Sequence, residues 1–114
     1  QRQAQGLPDH LVALAARIAA LPRLRLAGAQ FYCGLQQHIA DHAARAEAIA
    51  ERSAYLRSVI AALEAAGHPC PIVSGSGTGT HAIDLETGLF TELQCGSYIF
   101  MDRQYLDCDL DGTG

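Results

Sequence analysis

The residues in this chain best suited to chemistry lie in Ser74-Gly75-Ser76-Gly77-Thr78-Gly79-Thr80, where glycine alternates with hydroxyl side chains. Glycine lets successive backbone N–H groups turn toward one point, and Ser76, Thr78 and Thr80 add hydroxyl donors. Such a donor set suits an anionic oxygen cluster, most often a phosphate. A flexible Gly/Ser/Thr connection without a ligand is the alternative, and composition alone favours it. Two better-defined phosphate motifs fit poorly. The dinucleotide fingerprint needs glycine where Thr80 stands, and the P-loop needs a lysine, which the chain lacks altogether. What is left is a short cup for a phosphate already carried by a bound cofactor, with no lysine to act as a point charge.

The elements that must position this cup can be read on either side of it. Pro71-Ile72-Val73 is a short apolar run ending in a β-branched residue, as at the end of a buried strand. After the cup come His81-Ala82-Ile83-Asp84, a turn at Glu86-Thr87-Gly88, and a further strand over residues 89–93. That strand delivers Gln94-Cys95-Gly96-Ser97-Tyr98, a second glycine-hydroxyl turn. Upstream, residues 40–66 are rich in strong helix formers, and Gly67 is a natural C′ residue before Pro69. Ile49, Leu56, Val59, Ile60 and Leu63 make the apolar stripe of this covering helix. Arg45, Glu47, Glu51, Arg52, Arg57 and Glu64 supply its wet faces. Before it, Leu24, Leu26 and the small residues around Gly28 read as a strand running into Gln30-Phe31-Tyr32-Cys33-Gly34. Leu11, Leu14, Ile18 and Leu21 give an earlier amphipathic helix stopped by Pro22.

The expected order is helix, strand, long helix, strand with cup, strand with cup. A long helix between strands implies a parallel crossover, so the fold class is α/β and the two cups fall on one side of the sheet. Ligands bind at the carboxyl ends of such strands, which makes Tyr32 a site candidate too. A tyrosine merely packed at a strand end is the competing interpretation.

Composition narrows the remaining classes. A chain of 114 residues is one domain at most, and too short for a complete α/β barrel. Its 49% hydrophobic content is dominated by alanine, so bulky core material is scarce. A net charge of -4 and the lack of any basic stripe argue against nucleic acid as a partner. The apolar stretch over 11–21 is broken by Arg17 and too short to cross a membrane, which leaves a cytoplasmic protein as the expectation. Cys33, Cys70, Cys95 and Cys108 are far apart and read as free thiols. His38 and His42 have metal-ligand spacing without a third ligand, and Asp107-Cys108-Asp109-Leu110-Asp111-Gly112 reads as an acidic surface turn rather than a calcium loop. The chain opens at Gln1 and stops within a polar segment, so both ends read as cut.

Three stretches taken in order resemble the D-threonine aldolase and D-serine dehydratase family, closer to its aldolase side. They are Leu24-Arg25-Leu26-Ala27-Gly28-Ala29-Gln30-Phe31-Tyr32-Cys33-Gly34 with Gln37-His38, then Val73 with the glycine-hydroxyl cup, then Thr91-Glu92-Leu93-Gln94-Cys95-Gly96-Ser97-Tyr98-Ile99-Phe100-Met101-Asp102 with Tyr105. The resemblance implies an alanine racemase-like (β/α) barrel holding pyridoxal 5′-phosphate, with residues 1–114 as its middle portion. By the same resemblance, Gly77, Thr78, Gly79 and Thr80 with Gly96, Ser97 and Tyr98 would hold the cofactor phosphate, and Tyr32 would meet the pyridine ring or its nitrogen.

This chain departs from the family pattern at Cys33, where histidine is common, and at Ser74 and Ser76, where glycine is commoner. The family's cofactor-anchoring lysine and its divalent-metal ligands fall outside this segment. The implied function is part of a lyase that cleaves β-hydroxy D-amino acids to glycine and an aldehyde, inactive alone and prone to self-association through exposed barrel edges. The alternatives are a non-catalytic phosphate- or cofactor-binding module, a D-serine dehydratase-like protein, and a purely structural piece of helix and sheet.

Overall fold

The computed structural model describes residues 2–113; the termini Gln1 and Gly114, where the sequence reads as cut, lie outside them. Helix α1 (Arg2–Ala19) leads to strand β1 (Gly28–Phe31), a 3₁₀ turn at Gly34–His38, and the long helix α2 (His42–Ala65). Strand β2 (Ile72–Gly75), helix α3 (His81–Thr87) and strand β3 (Glu92–Leu93) follow, then a 3₁₀ turn at Ser97–Phe100 and the single-turn helix α4 (Arg103–Leu106). The strands form one parallel sheet in the order β1-β2-β3, with Ala29 beside Val73 and Ser74 beside Glu92. The parallel α/β alternation expected from the sequence is what the chain adopts.

Helix α2 begins where the Asp41 side chain accepts the Ala44 N–H at 2.7 Å, a side-chain N-cap. It ends as expected at Gly67, whose positive φ of 83° lets its own N–H reach Glu64 O and the His68 N–H reach Leu63 O. Its inner face packs Leu56, Val59 and Leu63 on Ala15 of α1 and Val73 of β2, with Cys70 alongside. Ala15 is the closest-packed point of α1 because its small side chain lets the two helices approach.

Five local expectations need correction. The inward stripe of α1 is Leu11, Val12, Ala15 and Ile18, while Leu14 and Leu21 are half-exposed, because the contact follows the 3–4 residue spacing around Ala15. The first strand is Gly28–Phe31, and Leu24 lies before it on an exposed loop. The last strand is only Glu92–Leu93. Residues 81–87, read as a link and a turn, form helix α3, capped by Gly88 in the left-handed region. Arg45, assigned to a wet face, is completely buried. Its guanidinium donates to the carbonyls of Ile39, Ala40 and Asp109, tying the acidic tail turn to the start of α2.

Side chains alternate across the sheet. Ala29, Phe31 and Val73 face the helices, whereas Gln30 and Ser74 face the other side, where Gln94 links them. The Gln30 amide donates to Gln94 Oε1 at 3.2 Å, and Gln94 donates to Ser74 Oγ at 2.8 Å. One face of the sheet is therefore apolar and covered, and the other carries a polar ladder.

Candidate anion site at the strand ends

All three strands run the same way, so their carboxyl ends share one edge of the sheet. From that edge β1 continues into Tyr32, β2 into Ser76 to Thr80, and β3 into Gln94 to Tyr98. The backbone joins the last two directly, for the Gln94 N–H donates to Gly75 O at 2.7 Å. Every residue from Val73 to Thr80 is buried, which a merely flexible loop would not be.

Within this buried loop two hydroxyls have no oxygen or nitrogen partner: Ser76 Oγ, which has the Cys95 thiol within reach, and Thr78 Oγ1. A buried polar atom left unpaired costs about 1–3 kcal/mol. The two face different spaces: Ser76 lines a narrow interior gap with Cys33, Gln37, Thr80 and Asp84, and only Thr78 reaches the open cavity. Thr78 lines a cavity of about 230 Å³ together with His81, Cys95, Tyr98, Met101 and Leu110. The His81 ring is held by its Nδ1 against Thr78 O at 2.8 Å. The β2 and β3 turns thus meet at one concavity, whose lining includes Thr78 from the first turn and Cys95 and Tyr98 from the second.

The remaining residues named from the sequence occupy different surroundings. Thr80 is 1% exposed, and its hydroxyl is engaged in the protein, donating to Asp84 Oδ2 at 2.6 Å and accepting from Gln37 Nε2 at 3.0 Å. The Gly79 N–H donates to Gln37 Oε1 at 2.9 Å, and the Thr80 N–H to Gly77 O at 3.2 Å. Gly77 and Gly79 pack on Gln37 so closely that an added Cβ would lie 2.5 Å from its side-chain oxygen and 2.0 Å from its backbone oxygen, respectively. Around Gly96, by contrast, a Cβ would meet nothing within 4 Å. Ser97 opens the 3₁₀ turn on the exposed rim, with its hydroxyl near enough to the Tyr105 phenol to pull its pKa down. Tyr105 itself is buried against the His38 ring at 4.6 Å. Tyr32 is 54% exposed, does not line the cavity, and lies within electrostatic reach of Tyr105.

Local electrostatics keep the neighbouring thiol protonated. Burial pushes the Cys95 thiol up, the Ser76 hydroxyl pulls it down, and the Asp84 carboxylate adds to the rise. Cys33, just past β1, is raised by burial and by Asp84 against the opposing pull of Arg52. Neither thiol is set up as a nucleophile. Among the described residues no group of three or more His, Cys, Asp or Glu is placed to hold a metal ion, and the carboxylates of the acidic tail are spent on Arg103, Gly112 and Thr113. No helix among them is long and apolar enough to cross a membrane.

Ser76, one of the hydroxyl donors read from the sequence, adopts a left-handed φ of 68°, rare for a residue with a Cβ. Two groups important to this geometry were not among the residues chosen from sequence. Gln37 and Asp84 carried no signal, since a glutamine in a 3₁₀ turn and an aspartate in a short helix are ordinary in isolation.

An unpaired buried hydroxyl at Thr78, backbone at the ends of two parallel strands and open space at Gly96 suit an anionic oxygen group such as a phosphate. Comparison with known proteins bears on the same segment. No family model matches the chain. It is 39% identical over 97 residues to a 3-hydroxy-D-aspartate aldolase of Paracoccus denitrificans (strain Pd 1222), covering 85% of this chain and 25% of that protein. It is 37% identical over 102 residues to a D-threonine aldolase of Arthrobacter sp., covering 90% and 27% respectively. The crystal structure of D-threonine aldolase from Filomicrobium marinum aligns with a TM-score of 0.81 at 41% identity, over 85% of this chain and 26% of that one. The chain therefore spans about a quarter of the length of the relatives it matches. In sequence and in three-dimensional arrangement alike, this chain is similar to that quarter of the D-threonine and 3-hydroxy-D-aspartate aldolases.

Proposed function

We propose that this chain is the phosphate-holding portion of a pyridoxal-phosphate-dependent aldolase barrel that cleaves β-hydroxy D-amino acids to glycine and an aldehyde. The observation that carries the proposal is the buried, unpartnered Thr78 Oγ1, which lines the cavity shared by the β2 and β3 turns. It would donate to the cofactor phosphate, with Gly77, Gly96, Ser97 and Tyr98 completing the cup. Gly79 and Thr80 belong to the same set through the backbone they shape, since their own N–H and hydroxyl groups are engaged inside the protein. Tyr32, at the adjacent strand end, would lie against the ring. Bound pyridoxal phosphate supplies the electron sink for cleavage of the Cα–Cβ bond. This chain's own contribution is to anchor and orient one end of that cofactor.

The chain contains no lysine and so offers no side-chain primary amine for covalent attachment. The 114-residue chain alone should therefore bind the phosphate end without turnover, and the anchoring amine and any divalent metal would come from other parts of a longer protein. That same lack favours one second reading, a phosphate-binding module without catalysis. A lysine at an earlier strand end of the full-length protein separates the two. A cytoplasmic setting is part of the proposal, supported by the four free cysteines.

The test is titration of the isotopically labelled chain with inorganic phosphate. Amide resonances of Gly77, Thr78, Gly96 and Ser97 are expected to shift together along one saturation curve. Unmoved resonances, or separate curves for the two turns, would overturn the shared cup. Glycine release from D-threonine by the 114-residue chain with added cofactor would overturn its assignment as an inactive part.

A further inference from the structure

We infer that Gln37, which touches neither the cavity nor its ligand, is the positioning residue that decides which donors of the cup face the anion. The inference rests on the cup proposed above. Gln37 lies in the 3₁₀ turn Gly34–His38, is 0% exposed, and has every polar function of its carboxamide engaged. Its oxygen accepts the Gly79 N–H at 2.9 Å; its nitrogen donates to Thr80 Oγ1 at 3.0 Å and to Cys33 O at 3.3 Å. The orientation is unambiguous, because a flipped amide would set its NH₂ against the Gly79 N–H.

The direction of this chain of bonds is set from its far end. Asp84, 3% exposed on α3, accepts the Thr80 hydroxyl proton at 2.6 Å. Thr80 Oγ1 then has only lone pairs to offer Gln37, so the amide nitrogen must face it and the amide oxygen must face Gly79. Gln37 thereby withdraws the Gly79 N–H into the protein and fixes Thr80 inward, leaving Thr78 Oγ1 as the unsatisfied hydroxyl of the loop that lines the open cavity. It also fills the space beside Gly77 and Gly79, where side chains are excluded. Through Cys33 O the same amide joins the end of β1 to the end of β2. The cup is thus clamped from behind by a residue of the preceding strand-end loop, a pre-organising arrangement.

Two variants test this against a purely structural role, with inorganic phosphate and pyridoxamine 5′-phosphate as probes; the latter has no aldehyde to react with stray amines. Gln37→Met keeps the volume and removes the polar atoms. We expect it to stay folded by circular dichroism and to bind both probes about tenfold more weakly. Gln37→Glu replaces the donor with a carboxylate, facing Asp84 on α3, Arg52 on α2 and Cys33 after β1. At neutral pH its affinity should fall by a similar factor. On acidification the introduced carboxylate gains a proton and regains one donor, so the variant-to-wild-type affinity ratio at matched pH should climb toward one. That ratio cancels the probe's own ionisation. If wild type binds and folded Gln37→Met or Gln37→Glu binds as tightly at neutral pH, or if the Gln37→Glu ratio stays flat with pH, the positioning role is wrong while the cup stands. If wild type binds neither probe, the cup fails and the role of Gln37 fails with it.

Discussion

Ser76 holds a conformation that its immediate neighbours, Gly75 and Gly77, would adopt freely. A residue with a Cβ in the left-handed region costs about 1–2 kcal/mol, part of which glycine returns through the greater freedom of the unfolded chain. Ser76→Gly is therefore expected to stabilise the fold by up to about 1 kcal/mol, raising the melting temperature by a few degrees. A lower melting temperature would show that the hydroxyl does structural work instead. Tyr105 gives a residue-scale pH prediction. Its phenol is pushed above the usual value of 10.0 by burial, against the Ser97 hydroxyl, with Tyr32, Asp102 and Cys108 adding to the rise. The folded state thus favours the neutral phenol. This contribution is fully present below the ordinary phenol range and is lost as pH climbs through the raised value. Ultraviolet titration should find one tyrosine ionising later than the rest, and Tyr105→Phe should remove both that step and its alkaline destabilisation.

At the level of elements, the glycines of the two cups differ in kind, and substitution separates them. Gly79→Ala drives a Cβ to 2.0 Å from Gln37 O, a backbone atom that cannot yield without moving the 3₁₀ turn; a loss of about 2–3 kcal/mol in thermal or denaturant unfolding is expected. Gly96→Ala meets open space at an ordinary negative φ of −132°, so stability should stay within about 0.5 kcal/mol. Under the cup proposal Gly96→Ala nevertheless weakens phosphate binding, because the added methyl occupies ligand space. A variant that unfolds, or that binds normally, would contradict this. The start of α2 supplies a control remote from the site. Asp41→Ala removes the bond to the Ala44 N–H and should cost about 1 kcal/mol without altering phosphate affinity.

The whole molecule exposes more than a closed globule would. Its surface of 7580 Å² exceeds the roughly 6000 Å² expected for a compact chain of this mass, and its radius of gyration of 15.9 Å exceeds the about 13 Å of a compact fold. Both β1 and β3 are open edges, and Leu14, Leu24, Leu35, Ile99, Phe100 and Leu106 are among the large apolar side chains at least half exposed. An open, flattened sheet of this kind is consistent with part of a barrel. In isolation it should self-associate, with sedimentation velocity giving a concentration-dependent weight-average mass at tens of micromolar. A sharp monomer boundary up to millimolar concentration would argue that the sheet is complete as it stands.

Features decided by neighbours in the chain were legible before any coordinates. The N-terminus and Gly67 stop of α2, the parallel alternation, and the two glycine-hydroxyl turns at successive strand ends all follow from local propensity and short-range hydrogen bonding. What escaped depends on partners far along the chain. Arg45 looks solvated until the carbonyl of Asp109 folds back onto it, and residues 81–87 look like a turn until Thr80 and Asp84 are locked against Gln37. The glycine-hydroxyl letters determined that a cup for an anion could exist. Only the tertiary structure decided which donors it turns outward, because the acceptor that takes the Gly79 N–H and the amide that holds Thr80 against Asp84 both belong to Gln37, some 40 positions earlier.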